Sequence, residues 1–340
     1  MLDLVLAAAP GGHLFTDNSW ITFDVNALAQ NFWAVTFAGL TFGAVYGLIA
    51  VGYTLVYGVL NLINFAHSEV FIVGAYGVVI TLTSLGFGPN APTLGLPALI
   101  GDLLLAMVVG MIASALTALF IERVAYRPLR KRNAPRLAFL ITAIGMSFAI
   151  QYAIFIIRGA NAESSVTMYI PTPVFDVFGT IITSQQLIIV ISAVVLMVAT
   201  DTFVRRGRTG RGIRAVAQDP DTATLMGVSR ERIIMITFII GGLLAGAAAL
   251  FYVMIVPSGV IYNGGFVLGV KAFAAAVLGG IGNIRGALLG GLLLGLISNY
   301  GQILLGDAQW ADVVAFVVLV LVLLVRPEGI LGTTLGRSKA

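Results

Sequence analysis

Apolar segments of about 20 residues follow one another along almost the whole chain, and charge is confined to their ends and connections. Only 10% of the 340 residues are charged and mean hydropathy is +1.01, whereas a soluble domain carries about 25% charged residues. So little polar surface cannot cover a folded chain of this length, and lipid must cover the rest. Runs of this length cross the roughly 30 Å hydrocarbon core as helices, which satisfy their own backbone hydrogen bonds. The fold class is therefore all-α, a polytopic membrane protein with about eight to nine transmembrane or re-entrant helices.

Candidate spans cover residues 33–58, 66–86, 97–122, 137–157, 186–204, 233–256, 266–281, 285–305 and 311–325. Basic residues cluster in two connections, Arg127–Arg136 and Arg205–Arg214, with two spans between them, so both fall on one side. The positive-inside rule makes that side cytoplasmic. Arg326, Arg337 and Lys339 put the carboxyl terminus there too. Nine crossings then leave the amino terminus outside, and of the 19 Lys and Arg residues only Arg158 and Lys271 fall elsewhere. Residues 1–32 contain neither Lys nor Arg, so they lack the basic region of a secretory signal and read as a retained outward-facing tail. Residues 33–326 form the membrane domain and 327–340 a cytoplasmic tail.

Several chemistries are excluded. The chain has no Cys, and its two His residues, His13 and His67, are too far apart for metal-ligand spacing. No metal or cofactor is expected. None of Lys131, Lys271 and Lys339 stands in a G-x-x-x-x-G-K-[ST] phosphate cradle, so the chain does not hydrolyse ATP itself. The pI near 9.5 arises from charges flanking apolar spans and implies no nucleic-acid partner.

Two spans are irregular. Segment 266–281 is about 24 Å long as a helix and either crosses or re-enters. The second span opens with Asn61-Leu-Ile-Asn64-Phe-Ala-His67-Ser-Glu69, too polar for a lipid-facing helix, and forms either a cytoplasmic connection or a broken helix lining a pathway. An interfacial hydrogen bond is the expectation for His67. Glu69 and Lys271 are ionisable residues within spans, which makes them pathway or gating candidates against a structural pairing. Glu122 and Arg123 read as interfacial anchors. Glycines recur every four positions at Gly39, Gly43 and Gly47 and again at Gly282, Gly286 and Gly290, with Gly291 and Gly295 beside them, the pattern of close helix packing.

Residues 205–232 form the longest polar stretch. Within it Asp219 or Asp221 suits a helix N-cap, Pro220 the first helical position and Gly227 the stop. Such a helix is expected to expose Ala223, Leu225 and Met226 as a small apolar knob between basic flanks.

Here the residues resemble a family. Gly212-Ile-Arg214-Ala215-Val-Ala-Gln-Asp219-Pro-Asp-Thr-Ala223-Thr-Leu-Met-Gly227 is similar to the cytoplasmic coupling loop of bacterial ABC import permeases, specifically the branched-chain amino-acid permeases of LivH type. Three further stretches agree. They are Gly43–Gly58 followed by Leu62–Glu69, Lys271–Gly282 followed by Arg285-Gly-Ala287, and the ending Arg326–Gly332. The resemblance covers residues 35–332; Ser68 departs from it, standing where the family commonly has Gly.

The resemblance implies a non-catalytic permease of the bacterial inner membrane, moving leucine, isoleucine or valine by alternating access. Urea or short-amide permeases look similar, and an ion-coupled secondary transporter is the alternative from another class. Implied partners are a second homologous permease, two cytoplasmic ABC ATPases and an extracytoplasmic solute-binding protein, all around a chain embedded in the lipid bilayer. The ATPase coupling loop carries Gly212, Arg214, Ala215, Asp219, Ala223 and Gly227. The solute pathway is expected at the polar break and the Gly-rich end of the seventh span, with Asn61, Asn64, His67, Glu69, Lys271, Phe273, Gly279 and Gly280.

Overall fold

Seven helices among the described residues are long and apolar enough to cross a membrane, and two shorter apolar helices coincide with the seventh and ninth expected spans. The computed structural model describes residues 23–87, 96–163, 173–177, 180–256, 259–326 and 328–332. Most of the expected amino-terminal tail, with His13, and the last part of the carboxyl tail, with Arg337 and Lys339, lie outside the described residues.

A short helix α1 (Val25–Gln30), capped by Asp24, precedes the long α2 (Phe32–Leu60). Next come α3 (His67–Ser84) and α4 (Leu96–Ile121), the latter continued by a π-helical turn (Glu122–Tyr126) and α5 (Arg127–Lys131). Helix α6 (Arg136–Arg158) leads through an antiparallel hairpin, β1 (Pro173–Val177) and β2 (Thr180–Thr183), into α7 (Ser184–Arg206). Two short helices, α8 (Arg208–Gln218) and α9 (Pro220–Leu225), then precede α10 (Arg230–Ile255). The last three are α11 (Gly264–Gly279), α12 (Ile284–Leu305) and α13 (Trp310–Val325). The hairpin is an addition to the expected helices; its Val, Phe and Ile residues occupy runs too short for a span and suit strands instead.

Ion pairs tie the basic helix ends into one layer. Arg127 of α5 meets Glu231 of α10 at 2.6 Å, and Asp201 of α7 receives both Arg205, at 2.7 Å, and Arg285 of α12, at 3.0 Å. At the opposite ends Glu163, which pairs with Arg158, bridges to Val260 through its backbone, and the Asp24 amide reaches Leu304 O. Exposed pairs such as Arg127–Glu231 contribute little stability each. Their use here is to show which ends share a side.

Helices α2, α3 and α10 form the buried centre, while α4, α6, α7 and α13 turn apolar residues outward. Such a surface is what a chain solvated by lipid requires. The first expected glycine row faces the two glycines beside the second, Gly291 and Gly295. A Cβ at Gly291 would strike the Gly47 backbone, and one at Gly295 would strike the Gly43 backbone, so α2 and α12 touch main chain to main chain. The second row serves another neighbour, since Gly286 and Gly290 sit against Gly279 and the Ala275 carbonyl of α11.

Residues 328–332 do not hang free. The amides of Ile330 and Leu331 bond to the carbonyls of Leu278 (2.8 Å) and Gly279 (3.0 Å), and Asn283 Nδ2 donates to Leu331 O. The end of α13 is thereby pinned onto the α11–α12 corner.

Candidate functional site: a broken helix at membrane depth and a braced docking helix

Residues 61–66 separate α2 from α3, and three neighbours measure their depth. His67 packs on Gly52, which lies about 12 Å along α2 from its end at Leu60. The same imidazole faces Gly241, about 16 Å into α10, and Glu69 accepts from Ser147 Oγ at 3.1 Å, about 16 Å into α6. The chain therefore turns at Leu60, runs back along α2 and starts α3 inside the bundle. Of the two expected alternatives, a broken helix at membrane depth is what the structure has. Asn61 makes the turn: it adopts left-handed backbone with φ 52°, caps α2 and stays exposed.

Asn64, His67, Ser68 and Glu69 are all buried. Asn64 Oδ1 accepts from Tyr126 Oη at 3.1 Å and from the Ala66 amide at 3.2 Å. Ser68 Oγ lies 2.9 Å from the Phe65 carbonyl and 3.3 Å from Glu69 Oε1. Three buried atoms of this group, Asn64 Nδ2, His67 Nε2 and Glu69 Oε2, have no partner among the described residues. Unsatisfied polar atoms away from water are costly, which marks this cluster as more than packing. His67 stacks edge-on to Tyr53 at 4.8 Å and is not interfacial, contrary to the expectation. The turn that should have placed it at the surface folds inward instead.

Below the cluster a narrow cleft is lined by Tyr53, Tyr57, Ile63, Asn64, Phe273, Ala276 and Ile281. Phe273 of α11 meets Tyr53 at 6.2 Å and Phe65 at 6.0 Å. Lys271 lies two positions earlier on α11 and so faces the other way. It pairs with Asp312 of α13 and lies 5.8 Å over the Tyr46 ring. Gly279 and Gly280 approach Gly286 and residues 328–332, a backbone junction rather than the cleft. Of the eight expected pathway residues the structure thus gathers Asn64, His67, Glu69 and Phe273. Tyr53, Tyr126 and Ser147 join them from distant positions with no local signal in the sequence. The seventh expected span contains a 16-residue helix whose Gly265 and Gly269 pack on Ser68.

The docking segment is more structured than expected. Residues 208–218, part of the longest polar stretch, form the amphipathic helix α8, with Gly210, Gly212, Ile213 and Val216 buried. Arg214 bonds the Val204 carbonyl and, at 2.9 Å, the Arg205 carbonyl, so it caps α7 from the next helix. Asp219 caps α9 as expected, accepting from the amides of Asp221 (3.0 Å) and Thr222 (3.1 Å). The Thr222 hydroxyl and amide, with the Asp221 amide, hold its carboxyl below the usual aspartate range. Gly227 ends the motif at φ 84°.

Ala223 is a correction: it is buried, because the loop folds α9 back over α8 and α10. Leu225 and Met226 remain 87% and 80% exposed and form the knob alone. Glu122, expected as an interfacial anchor, is buried and pairs with Arg130 at 2.5 Å, because the π-helical turn swings it inward.

The chain matches the family model for the permease component of branched-chain amino acid transport systems over residues 35–323. It is 44% identical over 298 residues to the high-affinity branched-chain amino acid transport system permease protein BraD of Pseudomonas aeruginosa, covering 86% of this chain and 94% of that one. Identity to the corresponding LivH of Escherichia coli is 40% over 305 residues, covering 87% and 94%. A probable LivH of Methanocaldococcus jannaschii is 30% identical over 301 residues, covering 84% and 88%. On these matches, and with its crossing helices in place, the chain belongs to the family of branched-chain amino acid transport system permease components.

Proposed function

We propose that this chain is the membrane-embedded permease subunit of an ABC importer and carries leucine, isoleucine or valine across the inner membrane. The observation that carries this reading is likeness over 94% of the length of relatives named as high-affinity branched-chain amino acid permeases. Hydrolysis of ATP belongs to two cytoplasmic partner ATPases; a second homologous permease and an extracytoplasmic solute-binding protein complete the importer. The basic helix ends face the cytoplasm and the amino terminus faces outward.

The ATPases grip the Leu225–Met226 knob, set by Asp219, Ala223 and Gly227 and braced on α7 by Arg214, with Gly212 and Ala215 beneath. Nucleotide-driven motion of α8 and α9 passes through the α7 cap and α10 into the bundle, shifting it between outward and inward access by differential affinity for the two states. The solute passes the break, where the aromatic wall of Tyr53 and Phe273 suits a branched side chain and the partnerless polar atoms of Asn64 and Glu69 suit its charged groups.

Labelled-leucine uptake, with ATP depleted while the proton gradient is held, tests the function. Uptake is expected to vanish on deletion of the chain and on ATP depletion, and to be competed by valine but not by urea. Uptake that follows the proton gradient and ignores ATP would overturn the reading. For the pathway, Asn64→Ala and Phe273→Ala are each expected to lower uptake by about tenfold, the effect of ~1.4 kcal/mol on a rate, with ATPase association unchanged. Normal uptake in both variants would move the pathway elsewhere.

A further inference from the structure

A groove of about 420 Å³ lies between α8, the Gly227–Ser229 turn and the first turn of α10. Arg208, Arg211 and Arg232 line it together with Ala215, Val228 and Ile233. All three guanidinium groups are exposed, and none has a hydrogen-bonding or ionic partner among the described residues, although Arg127, Arg130, Arg158, Arg205 and Arg285 all do. No acidic residue lines the groove. Three like charges around one hollow repel each other, so the arrangement calls for an anion.

Position narrows the choice. Helix α8 crosses the start of α10 so closely that a Cβ at Gly212 would sit 2.8 Å from Ile233 Cδ1. The groove is therefore level with the last residues of α7 and the first of α10, the points where those spans leave the hydrocarbon. That is the headgroup layer rather than bulk water. Arginine forks match phosphate oxygens, and the apolar Ala215, Val228 and Ile233 suit the glycerol end of a lipid better than they suit a free ion.

We propose that this groove binds the phosphate headgroup of an anionic phospholipid from the surrounding bilayer. The site rests on the membrane-spanning fold and on no assumption about the solute. A bound lipid would hold α8, and with it the Leu225–Met226 knob, against the membrane surface.

The test uses the full chain purified in detergent, with native mass spectrometry reading adducts of phosphatidylglycerol against phosphatidylcholine. The wild type is expected to prefer phosphatidylglycerol by about tenfold, within what three basic residues near a membrane surface supply. A variant with R208Q, R211Q and R232Q together is expected to lose that preference. R132Q with R136Q, on the other basic connection, is expected to keep it. Thermal melting of each variant checks the fold, and because all three groove arginines are exposed and unpaired it should not move. Equal binding of the two lipids by the wild type, or an unchanged preference in the groove variant, would overturn the proposal. Displacement of the lipid by millimolar inorganic phosphate would reassign the groove to a free anion. A groove variant that keeps its lipid preference but loses ATPase association would reassign it to an acidic surface of the ATPase.

Discussion

Gly295→Leu is expected to leave almost no folded, monodisperse protein after detergent extraction. At this position a Cβ would meet the Gly39 carbonyl and the Gly43 backbone, and Gly291 and Gly47 repeat the same contact one turn away. Overpacking against side chains costs about 1–3 kcal/mol because those side chains can rotate aside. Here the obstacle is main chain, so the whole α2–α12 interface must open. That interface joins one of the most buried helices to a helix whose other glycine face holds α11, so the damage spreads. Between helices in lipid, close packing is itself the main attraction, and there is no hydrophobic drive to compensate. With total stabilities of about 5–15 kcal/mol, one such substitution is severe. Gly145→Ala is the control, since a Cβ there meets nothing within 4 Å. Size-exclusion profile and thermal melting read both. A normal Gly295→Leu profile would show that the two rows are not a required contact.

The double substitution Leu225→Asp with Met226→Asp is expected to do the opposite: leave the fold intact and uncouple transport. Both side chains are almost wholly exposed, so neither contributes packing that could be lost. The cap at Asp219, the Gly227 stop and the buried Ala223 all remain, and α9 should keep its place. Two apolar anchors in an interface are worth about 2 kcal/mol each, so association with the ATPase should weaken by roughly a thousandfold. Uptake should fall with it while the melting temperature stays put. Wild-type uptake in this variant would remove the knob from the coupling surface. A lowered melting temperature would mean that the knob packs within the chain.

The apolar helices, their order and the layer of basic helix ends were legible along the chain because each depends on a local run of apolar residues ended by charge. The α9 motif was legible for the same reason: Asp219, Pro220 and Gly227 act within a single turn or two. Helix α8 was not, because its three exposed arginines and two glycines disguise an amphipathic face that exists only once α7 and α10 are there to cover it. Glu122 and Ala223 were misplaced for a related cause. Each is polar or peripheral by position and buried only by what folds back over it.

The candidate site divides along the same line. The sequence by itself determined that Asn61–Glu69 does not face lipid as helix, and left a cytoplasmic connection and a broken helix both open. It also determined that glycines at every fourth position would let backbones meet. Which helices those backbones belong to was decided only by the tertiary structure, and so was the depth of the break. Gly52, Gly241 and Ser147 set that depth from three different helices, and Tyr126 and Ser147 complete the polar cluster from far along the chain. Local patterns encode whether a segment can cross the membrane, because hydrophobic transfer acts residue by residue. They do not encode which side chains converge at its interior, because that depends on the packing of helices whose contacts are long-range.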